Sequence, residues 1–472
     1  MSFLLYSSEL ETGNVPLHIE RGRGNRPDEA SATCPTDMGV VPNPAEPRIS
    51  ARRMSSEREE MVQLPATALR CRVCETQYPL DPIGVCARCF GPLDPVYDRD
   101  EQRRTVTRES ITDGPQSIWR YAQLLPVAPP PEQRLPVGWT PLVRVPRLAE
   151  AVGVGELWLK LDTANPTHSF KDRVVAVAAA KALELGRTTL ACSSTGNLAN
   201  AVAARAAAEG VEAAVLCPAD LEPEKLIATA IYGARIFAVN GSYDDCSRLT
   251  VELSFELDWA FVNVQLRSYY AEGSKTLGFE IAEQLGWELP DAVIAPIASG
   301  SMFTKVHQAF AELLDLGLVE GTQPRLVGGQ AEGCQPVARA FADDAKLKPV
   351  RPNTIARSLA IGSPADGELA VSTARASGGA VYAVAEDEIA DNVAFLAETT
   401  GIFGETAPGV TLGALREAVR RGELGENDRV VLLVTGDGLK TPSLVADRLA
   451  PTFVEPDADL ILDSLSAAGG VR

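Results

Sequence analysis

Apolar residues along this chain follow two rhythms. Short runs rich in Val, Ile, Leu and Ala predict strands at residues 156–161, 189–192, 213–217, 235–239, 260–264, 292–297, 325–329 and 430–434. Between them lie Ala-rich stretches of helical period, such as 174–185 and 198–209. Strand alternating with helix from about Pro141 onward predicts an α/β fold with mostly parallel sheets. The flanking segments lack this rhythm. Residues 1–66 mix Arg, Glu, Pro, Ser and Gly and read as a disordered extension. Residues 67–98 form a small cysteine-bearing module, 99–450 the main α/β domain with a smaller lobe at about 187–264, and 451–472 a short acidic tail.

Charge narrows the partners. The 472 residues carry 63 acidic against 44 basic side chains, a formal net charge of -19. Such a surface disfavours nucleic acid and anionic membranes, whose phosphates need Lys and Arg. No apolar run reaches the roughly 18 residues of a membrane span, and the first residues show no signal-peptide pattern. A cytoplasmic protein acting on a small molecule is expected. The nine cysteines agree: five are scattered singly, which suits a reducing compartment.

Three strand-to-helix junctions carry candidate chemistry. In Asn165-Pro166-Thr167-His168-Ser169-Phe170-Lys171-Asp172-Arg173, a turn leads into Ser169 as N-cap and puts Lys171 in the first helical turn. The helix dipole there opposes a positive charge and helps a lysine exist as an amine. A lysine so placed is usually a solvated surface residue. At Ser193-Ser194-Thr195-Gly196-Asn197, hydroxyls and amides at a helix start suit a carboxylate or phosphate, with plain capping as the bland alternative. At Ala298-Ser299-Gly300-Ser301-Met302, small residues make a phosphate cup. No Gly-Lys-Ser/Thr follows, so it is not a nucleotide loop. A fourth turn, Thr435-Gly436-Asp437-Gly438-Leu439-Lys440, offers a hydroxyl to a ring nitrogen or is simply a Gly-rich turn. Their order along the chain is more specific than any one of them.

Together these residues resemble the threonine synthases, pyridoxal 5'-phosphate (PLP) enzymes of fold type II, the tryptophan-synthase β-like fold. Asn-Pro-Thr-x-Ser-Phe-Lys-Asp-Arg is similar to that family's cofactor-lysine motif and Ser-Thr-Gly-Asn to its carboxylate loop. The segments 270–276, 330–336, Thr354-Ile355-Ala356, Gly404-Glu405-Thr406 and 435–441 resemble members of actinobacterial type. The resemblance implies two α/β lobes, a homodimer, and Lys171 as the Schiff-base lysine. It places Phe170 by the ring, Asn197 at O3', Ser299, Gly300, Ser301 and Met302 on the cofactor phosphate, and Thr435 at the pyridine nitrogen. Ser194, Thr195 and Gly196 receive the substrate carboxylate, and Lys275 and Arg267 are the candidates for its phosphate. The implied reaction is O-phospho-L-homoserine plus water to L-threonine plus phosphate, with Lys171 as general base. Two positions depart from the family pattern: His168 stands where many relatives have Gly, and the phosphate cup is poorer in Gly and Asn.

Rival readings keep the scaffold. It also serves β-replacement on phosphoserine (as in cysteate synthase), β-elimination (as in threonine dehydratase), and specialised amino-acid metabolism. A binding protein on an inactivated PLP fold is the alternative of another class, and the presence of Lys171 with all its loops argues against it.

The remaining cysteines form two Cys-x-x-Cys pairs, Cys71/Cys74 and Cys86/Cys89. Two knuckles across a short loop offer four thiolates to a closed, structural zinc ribbon. Redox-active or vestigial pairs are the alternative. A similar ribbon is common in short threonine synthases.

Overall fold

The computed structural model describes residues 66–194, 196–221 and 223–467. The extension predicted to be disordered therefore lies, but for Ala66, outside the described residues. The chain first builds a three-stranded antiparallel sheet of β1 (Ala68–Cys71), β2 (Gln77–Tyr78) and β3 (Leu93–Val96), with β1 in the centre. Leu69 and Cys71 of β1 are buried and Arg70 is exposed, the period-2 pattern of a sheet with one covered face.

The chain next lays down β4 (Leu142–Arg144) and β5 (Glu156–Leu161), and α1 (Lys171–Glu184) follows. It then forms a second sheet from β6 (Thr189–Ser193), β7 (Glu212–Pro218), β8 (Arg235–Val239) and β9 (Ala260–Phe261), in the order β8-β7-β6-β9, all parallel. Helix α2 (Asn197–Glu209) connects β6 to β7 and packs on α1. Both helices are largely Ala and Val on their buried faces, and small side chains allow close approach.

After α3 (Arg267–Glu272) and α4 (Lys275–Gln284) the chain returns to the sheet begun by β4 and β5, with β10 (Ala292–Pro296), α5 (Ser301–Asp315), β11 (Arg325–Ala331), β12 (Ala380–Val384), α6 (Thr406–Arg420) and β13 (Arg429–Val434). The strand order is β12-β11-β10-β13-β5-β4, parallel except for β4. Central strands covered on both faces read as continuous apolar runs; all five residues of β10 are buried. That is why the run 292–297 was legible.

Two strands carried no such signal. β4 is a three-residue antiparallel edge, and β12 pairs with β11 alone at the opposite edge. The expected strand at 260–264 shortens to Ala260–Phe261 because β9 meets only one partner, β6. No helix of the described residues is long and apolar enough to cross a membrane.

A buried ion cluster fixes the start of α1. Arg173, Lys160 and Glu280 are 0 % exposed and Asp162 is 1 % exposed. Glu280 accepts from Arg173 Nη1 (2.5 Å) and from Lys160 Nζ (2.6 Å), and Asp162 takes Arg173 Nε (2.8 Å). Arg173 lies two residues beyond Lys171, so this cluster holds the lysine's helix against β5 and α4.

Candidate active site

Several of the predicted loops meet at the carboxyl ends of parallel strands, where open α/β sheets present ligand crevices. Lys171 follows β5, Asn197 follows β6, Ser299 follows β10 and Thr435 follows β13. Phe170, Lys171, Asn197, Ser299, Gly300, Ser301, Met302 and Thr435 all line one cleft with roughly 580 Å³ of empty space, part of it open to solvent.

The helix bearing Lys171 begins at that residue, and Phe170 is the N-cap with no side-chain cap bond. The expected Ser169 cap is corrected: its Oγ is buried without a partner. The loop is held by its backbone instead. Phe170 N–H donates to Thr435 O (3.0 Å), and Asp437 N–H donates to His168 O (3.1 Å). The lysine loop and the Thr-Gly turn are thereby one unit.

His168 adopts φ of +59°, the left-handed region glycine enters without a Cβ penalty. The imidazole is exposed and bonds Thr163 O through Nδ1 (3.2 Å).

Burial pushes the Lys171 amine down to about 8, against a partial pull upward by Tyr243 and Glu405. Desolvation of the ammonium ranks first. Lys171 Nζ lies 3.2 Å from Tyr270 Oη and 4.7 Å from the centre of the Phe170 ring. Burial raises the Tyr270 phenol well above its usual range and keeps it protonated.

Asn197 is held from both ends. Its Nδ2 donates to Glu405 (2.9 Å), and its Oδ1 accepts from Lys440 Nζ (2.7 Å). A carboxylate on one side and an ammonium on the other fix the amide's orientation and leave the second Nδ2 hydrogen free. Burial raises the Glu405 carboxyl above its usual range. Gly436 is required there, because a Cβ would collide with the Glu405 side chain.

At the far wall Gly300, with φ of +89°, turns the chain into α5. Ser299, Gly300, Ser301 and Met302, at the start of this helix, line the cleft, and helix-start N–H groups beside hydroxyls suit an anion. The hydroxyls of Ser274 and Ser358 also line it.

Other predicted residues lie elsewhere. Ser194 and Gly196 line a separate small cavity behind α2. Ser194 Oγ accepts from Gly196 N–H and Ala199 N–H (3.2 Å each), so it serves α2 as a cap. Thr195 lies outside the described residues.

Lys275 is corrected outright. It is 0 % exposed, and its Nζ binds Glu272 (2.6 Å), Glu312 (3.1 Å) and Leu124 O (2.9 Å), so it is a structural cation that no substrate reaches. Arg267 is paired with Asp366 at 2.6 Å and is not among the cleft-lining residues. Arg267 looks available in sequence because Asp366 is 99 residues away; Lys275 does because Glu312 is 37 away and nothing in the sequence shows that the nearby Glu272 is buried against it. Tyr270 and Glu405, conversely, stood in motifs without a role, since spacing does not reveal that they face Lys171 and Asn197.

The four cysteines of the two pairs converge. Their sulfurs all lie within 4.8 Å of one another. Val73 N–H and Arg88 N–H each approach a cysteine sulfur (Cys71 and Cys86) at 3.4 Å. Amide donors of this kind stabilise thiolates.

Comparison with known proteins agrees with this geometry. The pyridoxal-phosphate dependent enzyme family matches residues 133–436. Threonine synthase of Methanosarcina acetivorans is 36% identical over 406 residues, covering 84% of this chain and 98% of that protein. Threonine synthase of Methanocaldococcus jannaschii is 34% identical, covering 83% and 98%. That of Mycobacterium leprae is 33% identical, covering 70% and 89%. Among solved structures, threonine deaminase isoform 2 of Solanum lycopersicum aligns with a TM-score of 0.55 at 19% identity, over 65% of this chain and 82% of that one. Diaminopropionate ammonia lyase of Escherichia coli gives 0.56 at 20%, over 65% and 86%, and both show the shared fold. The chain belongs to the threonine synthase family of pyridoxal-phosphate-dependent enzymes.

Proposed function

We infer that this protein converts O-phospho-L-homoserine and water to L-threonine and phosphate. One observation carries the reading. A lysine whose amine is made available by burial, a locked amide, a helix-start anion seat and a neutral threonine hydroxyl meet in one cleft, each from a different strand end.

The donor set suits PLP. The Ser299–Met302 turn would hold its phosphate, Asn197 its phenolic oxygen, Phe170 a ring edge and Thr435 its ring nitrogen. The Thr435 side-chain hydroxyl has no hydrogen bond within the chain among the described residues. When bound there, the cofactor supplies a conjugated electron sink for carbanions next to the substrate nitrogen.

The chain's own groups handle the protons. Lys171 Nζ, neutral in a large fraction of molecules near pH 8, can take a proton from a substrate carbon and return it to the next. The protonated Tyr270 hydroxyl at 3.2 Å holds that amine in place. Glu405 and Lys440 orient Asn197. Thr435, being neutral, would leave a ring nitrogen seated against it unprotonated.

Among the described residues lining the cleft, Lys171 is the only cation. A substrate phosphate would therefore be met mainly by hydroxyls such as Ser274 and Ser358. That observation keeps β-elimination from a substrate without a phosphate, as in threonine dehydratase, as the second reading. The test is phosphate release coupled to threonine detection with O-phosphohomoserine, set beside phosphoserine and threonine as alternative substrates. Stoichiometric phosphate and threonine support the reading; turnover of only the alternatives refutes it.

The cysteine cluster is read as a structural zinc site, supported by its tetrahedral ligand number and its amide donors. A homodimer follows from the family resemblance and is read by sedimentation.

A further inference from the structure

We propose that Arg72 and Arg267 are positioning residues for the Ser299–Met302 turn, acting through Asp366, so that the cysteine module braces the seat of the cofactor phosphate. The inference rests on reading that turn as the seat.

Asp366 is 3 % exposed and meets the turn through its backbone. Its N–H donates to Ser299 O (2.9 Å), and a Cβ on Gly300 would come within 2.7 Å of Asp366 O. Its carboxylate receives one guanidinium on each oxygen: Arg72 on Oδ1 at 3.0 Å and Arg267 on Oδ2 at 2.6 Å. Arg72 stands between Cys71 and Cys74 and also grips Asp94 of β3, through Nε and, at 2.7 Å, through Nη2.

Asp94 in turn accepts from Lys305 at 2.9 Å. Lys305 lies on α5, whose first residues are the turn itself. The module thus holds this helix twice, at its entrance through Asp366 and a turn further on through Lys305. Lys305 continues to Glu272 (2.5 Å), and Glu272 to Lys275 (2.6 Å), which gives both misassigned cations a place in one connected network.

The physical reason is local. A left-handed turn aimed at a ligand stays in place only where its surroundings determine it. Removing one arginine leaves a buried carboxylate half-paired, a costly state relieved by moving the segment that carries it. Amides displaced by a fraction of an ångström then bind phosphate less well.

The test follows the rate at which cofactor leaves the holoenzyme, read from its visible absorbance, and the 31P resonance of the bound phosphate. Arg72→Met and Arg267→Met should each speed release about ten-fold, as loss of one charge-assisted hydrogen bond implies, and shift the resonance. Arg72→Lys should recover part of the loss. Ser301→Ala, alone and with Arg72→Met, tests the seat: effects on one seat combine less than additively.

If Arg72→Met fails to fold, Arg267→Met carries the test, since that arginine lies outside the cysteine module. Wild-type release and an unmoved resonance in the arginine variants, with Ser301→Ala impaired, overturn the bracing. No effect in a Ser299→Ala/Ser301→Ala variant either would overturn the seat itself, and the proposal with it.

Discussion

Glu280→Gln removes the central charge of the cluster that anchors α1. The carboxylate accepts from Arg173 Nη1 (2.5 Å) and Nη2 (2.8 Å), Lys160 Nζ (2.6 Å), Trp139 N–H (2.7 Å) and Thr140 N–H (3.2 Å). Burial alone would raise its pKa, but Arg173 and Lys160 override it and hold the group at about 2.

Against an ordinary value of about 4.3, a depression of roughly 2 units corresponds to about 3 kcal/mol. A depressed carboxyl contributes fully above its unfolded value and loses that contribution as pH falls toward its folded one. Glutamine keeps the shape and leaves two buried cations sharing Asp162. Breaking a buried pair in this way costs about 3–5 kcal/mol, so two independent arguments agree.

The variant should therefore unfold in urea with about 3 kcal/mol less stability at pH 7, measured by tryptophan fluorescence. The gap should shrink to roughly 1 kcal/mol at pH 3, where the wild type itself is losing the interaction. A gap below about 0.5 kcal/mol at pH 7 would refute the reasoning, since buried pairs can be energetically neutral. A gap independent of pH would show that Glu280 is not the titrating partner.

Four further outcomes follow. Protein stripped of cofactor should recapture PLP at a rate that climbs about tenfold per pH unit and levels off near 8, because Lys171 must be neutral to react; a plateau only near 10 would contradict the buried amine. Lys171→Ala should abolish both turnover and the cofactor's visible absorbance. Lys275→Met should lose about 1–3 kcal/mol of stability, by taking one charge-assisted partner from Glu272 and Glu312, which keep Lys305 and Arg99, while KM in the surviving fraction stays at the wild-type value; a raised KM would restore Lys275 to the substrate. Cys89→Ser should lower bound zinc from one ion per chain and lower Tm, and metal content unchanged from wild type would count against the ribbon.

Sequence alone carried those features whose physics is local. Continuous apolar runs mark central parallel strands, because burial on both faces removes alternation. The four cysteines announce a common centre, because two tight pairs leave few other uses for their spacing. Lys171 was legible because its neighbours Pro166, Phe170 and Arg173 form a motif unbroken along the chain.

The tertiary structure decided what depends on partners far apart in sequence. Lys275 and Arg267 read as free cations until Glu312 and Asp366 arrive beside them, 37 and 99 residues away. The low pKa of Lys171 was expected from a helix dipole; burial is its leading cause, and burial is a property of the assembled lobes. The grip of Glu405 and Lys440 on Asn197 spans 208 and 243 residues. Long-range electrostatics and packing have no period to read, so only the folded chain could show them.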